Sequence, residues 1–200
     1  MSKPTAVIVL CEDNLTFSFT RSYLKRCGIN QGIRPVISPR GRGCGFDFVV
    51  KNFPAQVNAY RLVKASIHTW LIAVVDADTG TAAQRIGEMD RGLTQAQEPR
   101  LRAIRIQDET IARLVPRRNI ETWLLALNDV IPTDNSPLNE TKDYKKDVPE
   151  FRHYDWEEKT KPGSMTFYGF TRPNAQLPAS LLDSLHHGIA EMRRVEELAR

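Results

Sequence analysis

The sequence predicts an α/β fold: a mostly parallel sheet with helices on both faces, followed by an irregular and helical C-terminal extension. Three observations predict it. The apolar runs Ala6–Cys11, Leu71–Val75 and Ile111–Val115 lack polar alternation, the pattern of strands buried on both faces in a parallel sheet. Each run ends abruptly, in Glu12-Asp13-Asn14, in Asp76-Ala77-Asp78, or in Pro116-Arg117-Arg118. A segment with helical character follows each one, and strand–turn–helix repetition is the grammar of parallel sheets. The α/β core is expected over 1–130, with 131–200 as an extension packed on it.

The elements follow in order. Leu15–Cys27 offers Phe19, Tyr23 and Leu24 as an apolar stripe beside Arg21, Lys25 and Arg26, and Gly28 is a C-cap. Ile33–Ser38 reads as a strand despite Pro35. Pro39–Gly45, with three glycines and two arginines, reads as a loop whose amides and charge suit phosphates, or as a solvated loop. Phe46–Phe53 reads as a short extended segment and Val57–Ser66 as a helix. Thr81–Met89 is helical, Leu93–Pro99 a loop, and Leu101–Ile106 fits either helix or strand. Asn119 is an N-cap, and Ile120, Trp123, Leu124 and Leu127 then recur at helical spacing. Glu121 falls in the first turn, where the helix dipole alone favours a carboxylate. Pro132–Tyr154 is polar and proline-punctuated, with Lys142, Lys145 and Lys146 around Tyr144, and reads as a mobile loop or a short helical insertion. Trp156–Pro178 reads as irregular. Ser180–Arg200 is an amphipathic helix with Leu181, Leu182, Leu185, Ile189 and Met192 on its apolar face.

Composition narrows the classes. With 200 residues, 41% hydrophobic and 26% charged, the chain is an ordinary globular protein able to bury a sizeable core. A formal charge of +4 permits an anionic partner without demanding one. Cys11, Cys27 and Cys44 are an odd set without CxxC spacing, which argues against a disulfide framework or a zinc knuckle. No signal-like or membrane-length apolar run is present in the sequence, so a cytoplasmic protein without a membrane partner is expected.

The chemistry centres on the acids. Alternate residues of a strand share a face, so Asp76 and Asp78 project together at the carboxyl edge of the sheet, where ligands of open α/β sheets gather. Two carboxylates there repel one another unless a divalent cation or a hydrogen-bond network compensates. VIVLCEDN and LIAVVDADTG together resemble the TOPRIM domain of topoisomerases, primases and OLD-type nucleases. The resemblance implies that Glu12, Asp76 and Asp78 are catalytic and bind Mg²⁺ (or Mn²⁺), acting on phosphodiesters of DNA or RNA. Asp13 stands where family members commonly place Gly. Asp13 and Glu121 are candidates for a second ion. Arg40, Arg42, Arg117, Arg118, Lys145 and Lys146 are candidate nucleic-acid phosphate contacts. No tyrosine beside the acids singles out a covalent nucleophile, so hydrolysis is preferred over strand passage.

ARLVPRRNIETWLLAL is similar to small bacterial TOPRIM-like proteins, some of them near mobile-element defence genes, which implies a nuclease subunit in antiviral defence. OLD-type nucleases often work with an ATPase. This chain has no GxxxxGK[ST] motif, so the implied ATPase is a separate subunit. Two alternatives stand beside this reading. Asp76-Ala-Asp78-Thr79-Gly80-Thr81 looks like the haloacid-dehalogenase (HAD-like) phosphatase signature, with Asp76 as nucleophile and Asp78 as general acid/base. The other alternative is a non-catalytic TOPRIM-like module that binds nucleic acid or a partner.

Overall fold

The computed structural model describes residues 6–39, 45–98, 101 and 105–200. Strands β1 (Ala6–Cys11), β2 (Ile33–Ile37), β3 (Thr69–Val74) and β4 (Ile111–Leu114) form one all-parallel sheet in the order β2-β1-β3-β4. The fold is α/β and Rossmann-like. The inner strands β1 and β3 are the most continuous apolar runs, and β3 is buried at all six positions. β2 lies at an edge, where Pro35, which has no N–H to give, is tolerated. The opposite edge, β4, is covered by side chains of α7 (Asp183–Leu198). The Arg113 N–H donates to Glu191 at 3.2 Å, and Arg194 donates to the carbonyls of Glu109 (2.8 Å) and Ile111. These contacts satisfy backbone groups that an open edge would expose.

Strand alternation splits the core in two. Ile8, Leu10, Leu71 and Ala73 pack against α2 (Gly45–Val63) and α3 (Ala82–Gln95) through Val49, Phe53, Val57, Met89 and Leu93. Val7, Val9, Ile72 and Val74 face the other way. They meet α1 (Asn14–Arg26), α4 (Ile120–Leu127), α6 (Trp156–Thr171) and α7 through Phe19, Tyr23, Trp123, Phe167, Leu185 and Ile189.

Two elements depart from the sequence reading. Phe46–Phe53 is not extended but forms the first half of α2. Its β-branched and aromatic residues favour a strand locally, yet Val49, Phe53, Val57 and Tyr60 bury one helical stripe on the sheet, and tertiary packing overrides propensity. Pro54 is accommodated inside this helix against α3, where a Cβ on Gly92 would come within 3.1 Å of its Cγ. Trp156–Thr171 is likewise a helix, α6, rather than irregular. Asp155 caps it by accepting from the Glu158 N–H at 3.0 Å, and Phe167 locks it between Phe19, Tyr23 and Trp123. Pro162 and Gly163 look like breakers in sequence. Gly163 instead permits close approach to α4, since a Cβ there would lie 3.2 Å from Leu124.

Smaller differences follow the same logic. α3 continues through Leu93 to Gln95, because Leu93 buries on the sheet. Within 132–154 the chain forms α5 (Tyr144–Asp147) and a 3₁₀ turn at Pro149–Phe151, anchored by buried Tyr144 and Phe151. Among the described residues no helix is long and apolar enough to cross a membrane.

Candidate functional site

The sheet order fixes where a site can form. β1 and β3 are neighbours, and the helices that follow them, α1 and α3, leave to opposite faces. The diverging connections open a crevice at the carboxyl ends of these two strands, the usual ligand position in open α/β sheets. Glu12 directly follows β1, and the Asp76 N–H donates to its Oε1 at 2.8 Å, tying the two strand ends together. Beyond β3 the extended pairing continues: Ala77 N–H donates to Pro116 O (2.8 Å) and Asp78 N–H to Arg118 O (3.2 Å). A cavity of about 230 Å³ results. Six carboxylates line it, from Glu12, Asp13, Asp76, Asp78, Glu121 and Asp143, with Arg118, Lys145 and Lys146 as the cations.

These acids are not equivalent. Burial pushes the Glu12 carboxyl from 4.5 to about 7, the Asp76 N–H bond opposes this, and the charges of Asp13 and Asp78 reinforce it. Asp76 borders the cavity and is half-buried. Burial first, and then Glu12 and Glu121, hold its carboxyl well above the usual carboxylate range. Asp13 adopts an extended φ of −150° and caps α1, accepting from the Thr16 N–H at 2.8 Å. It therefore needs no glycine-like backbone. Asp78 sits in the left-handed region at φ 58°, a conformation that costs an aspartate free energy and that tends to concentrate at functional sites. Its carboxylate pairs with Arg118 Nη1 at 3.1 Å, and Glu121 pairs with Lys145 Nζ at 3.1 Å. Partial burial of Lys145 disfavours its charge, but Glu121 outweighs this and its pKa is raised. Among the described residues Glu12, Asp13 and Asp76 form no ion pair, and of these Asp13 is taken up by the α1 cap.

Eight of the predicted residues meet here: Glu12, Asp13, Asp76, Asp78, Glu121, Arg118, Lys145 and Lys146. Arg117 does not; it lines a different cavity. Arg40 and Arg42 lie outside the described residues. Three contributors escaped the sequence reading. Gly45, the first residue of α2, lies so close to Glu12 that a Cβ would come within 2.5 Å of Oε2. Glycine is the residue that lets the helix start approach the acid, and its place in a glycine-rich stretch was the available signal. Asp143 is buried and binds Arg118 and Lys146 at 3.7 and 3.5 Å. Arg85 stacks over Phe46 at 3.7 Å and lowers the Glu12 pKa through its charge; nothing in the sequence pointed to it.

The donor chemistry suits a hard cation. Carboxylate oxygens desolvated beside one another are relieved by Mg²⁺, which needs only one or two of them and takes waters and phosphate oxygens for the rest. Among the described residues no group of three or more His, Cys, Asp or Glu side chains is placed to hold a metal ion, so an ion held by Glu12 and Asp76 would take most of its ligands from water and phosphate oxygens. The chain matches no family model, no curated protein and no solved structure.

Proposed function

We propose that this chain is a Mg²⁺- or Mn²⁺-dependent nuclease of TOPRIM type that hydrolyses phosphodiester bonds in DNA or RNA. In this reading a separate ATPase subunit and a role in defence remain what the resemblance implies. The observation that carries the reading is the crowding of Glu12 and Asp76, which form no ion pair among the described residues, at the point where β1 and β3 diverge. Glu12 and Asp76 would hold a divalent cation, which would supply polarisation of a phosphoryl oxygen and a hydroxide at neutral pH. The Asp76 N–H fixes the rotamer of Glu12 through Oε1, leaving Oε2 beside the start of α2. Arg118 orients Asp78, while Lys145 and Lys146 at the cavity favour the approach of a phosphate. The test is cleavage of single- and double-stranded substrates in Mg²⁺ or Mn²⁺. Wild type is expected to cut, Asp76→Asn and Glu12→Gln to lose activity; an Asp76→Asn protein that cuts at the wild-type rate removes this acid from the site.

A second reading has one observation in its favour. Arg118–Asp78 and Lys145–Glu121 already neutralise two acids internally, as they would in a non-catalytic binding module. Metal-independent binding of nucleic acid with no cleavage under any divalent ion selects that reading. A phosphatase mechanism gains no such support, because Asp76 follows the third strand of the chain and the mechanism gives Glu12, which bonds the Asp76 N–H, no role.

A further inference from the structure

α1 is a helix without an acid. None of its 13 residues, NLTFSFTRSYLKR, is Asp or Glu, while Arg21, Lys25 and Arg26 are cationic and exposed. At its far end a groove of about 320 Å³ opens between α1 and α6. Ser22, Lys25, Arg26, Lys161 and Ser164 line it, and no carboxylate does among the described residues. Among those residues Arg21, Lys25, Arg26 and Lys161 form no ion pair.

The neighbouring acids do not neutralise this groove. Glu157 and Glu158 lie one turn before Lys161 on α6, yet neither lines the groove. Glu196 accepts from Cys27 Sγ at 3.9 Å, just past the end of α1, but it is buried and also accepts from Tyr23 (2.7 Å) and Arg172. The helix dipole alone favours cations such as Lys25 and Arg26 in the last turn of α1. It does not account for Arg21 in the body of the helix, nor for Lys161, which another helix supplies. A groove lined by one sign of charge concentrates the opposite ion.

Its position says what kind of anion. Asp13, the N-cap of α1, lines the acidic cavity, so the helix runs from that cavity to the groove. At about 1.5 Å per residue α1 spans about 20 Å, too far for one small anion to serve both ends. The described lining also has no aromatic ring on which a single base could stack. A polyanion laid along α1 meets Arg21 on the way, since residues 14, 18, 21 and 25 share one face of a helix.

We infer that the α1–α6 groove grips the phosphate backbone of a nucleic acid, with Lys25, Arg26 and Lys161 as its contacts and Arg21 on the track toward the acidic cavity. That the same strand reaches Glu12 and Asp76 rests on the nuclease reading; the groove itself does not.

Binding in EDTA tests the groove apart from cleavage. The probes are a labelled DNA duplex and a labelled RNA strand, titrated by fluorescence anisotropy across a salt series. Arg26→Ala/Lys161→Ala is expected to bind about tenfold or more weakly at about 0.1 M salt. Its slope of log affinity against log salt should flatten by about one to two units, since each lost phosphate contact removes about 0.7–0.9. Lys51→Ala/Arg91→Ala removes two exposed cations from α2 and α3, on the opposite face of the sheet, and is expected to keep the wild-type affinity and slope. Unchanged affinity and slope of Arg26→Ala/Lys161→Ala with both probes overturns the groove, and so does an equal loss in the Lys51→Ala/Arg91→Ala protein. Poly-glutamate that binds as tightly as the nucleic acids, with the same dependence on Arg26 and Lys161, overturns the strand in favour of an acidic protein. Inorganic phosphate that binds alone as tightly, with that dependence, overturns it in favour of a free anion. Groove-dependent binding by a wild-type protein that cuts nothing in Mg²⁺ or Mn²⁺ supports the groove and removes the nuclease reading. Cleavage by wild type beside unaltered binding in Arg26→Ala/Lys161→Ala does the reverse.

Discussion

Removing the charge of Glu12 should make the metal-free protein more stable at about pH 8 and abolish its response to Mg²⁺. Burial and the neighbouring acids raise this carboxyl from 4.5 to about 7 in the folded protein. The folded state therefore binds the proton more tightly than the unfolded chain. The associated stability is complete below about pH 4.5 and is lost as pH rises through about 7. At about 1.36 kcal/mol per pH unit the loss amounts to about 3 kcal/mol by pH 8. Glu12→Gln keeps an oxygen for the Asp76 N–H but carries no charge, so at pH 8 it recovers up to that amount, and near pH 4 it changes little. For a chain of this length about 3 kcal/mol corresponds to about 6–12 °C in Tm. Asp76→Asn acts on the same repulsion, so the two gains are not additive. Urea and thermal unfolding of both variants, at acid pH and at about pH 8 with and without millimolar Mg²⁺, measure each quantity. Wild type should gain stability from the metal at pH 8 and both variants should not. A Glu12→Gln protein that is less stable than wild type at pH 8, or wild-type stability that is flat from pH 4 to 8, would refute the reasoning.

Three further outcomes test other parts of the structure. Glu109→Gln leaves Arg61 and Lys64 facing a neutral group in a buried position and should cost about 3–5 kcal/mol, read by urea denaturation. Gly188→Ala places a Cβ 2.4 Å from Trp123 Cη2, so α7 must shift, at about 1–3 kcal/mol and with loss of the Trp123–Ser184 hydrogen bond visible in tryptophan fluorescence. Lys145→Ala/Lys146→Ala frees Glu121 and removes two cations from the acidic cavity; nucleic-acid affinity should fall and its slope against log salt should flatten by about one to two units.

What the sequence disclosed, and what it withheld, follows from the range of the physics involved. The strands at Ala6–Cys11, Leu71–Val75 and Ile111–Val115 were legible because burial on both faces leaves a continuous apolar run. Glu12 and Asp76 were legible because such runs end at the edge where sites form. The cap at Asn119 is local chemistry, and it accepts from the backbone N–H three residues on. The first half of α2 and all of α6 were not legible, since FDFVVKNFP and EEKTKPGSM offer strand or breaker signals that only the sheet and α1 overrule. Asp143 and Arg85 join the site through long-range packing, and no spacing in the chain announces them. Arg117 and Arg118 look interchangeable in sequence; only the fold separates them into two cavities.

The contrast between the two ends of the sheet is the strongest argument for where chemistry occurs. At the amino end Glu109 is buried, yet Arg61 binds it with Nε at 3.0 Å and Nη2 at 2.6 Å, and Lys64 adds a further contact. That carboxylate is fully compensated and explains itself as structure. At the carboxyl end the acids are more numerous and their cations are placed unevenly: among the described residues Arg118 and Lys145 pair with Asp78 and Glu121, while Glu12 and Asp76 form no ion pair. A protein able to build the first arrangement did not need the second for stability, and ionisation of Glu12 works against the fold at neutral pH. Acids crowded into a buried site store free energy that a cation bound there would release, which is the ground for the ligand proposed at this end of the sheet.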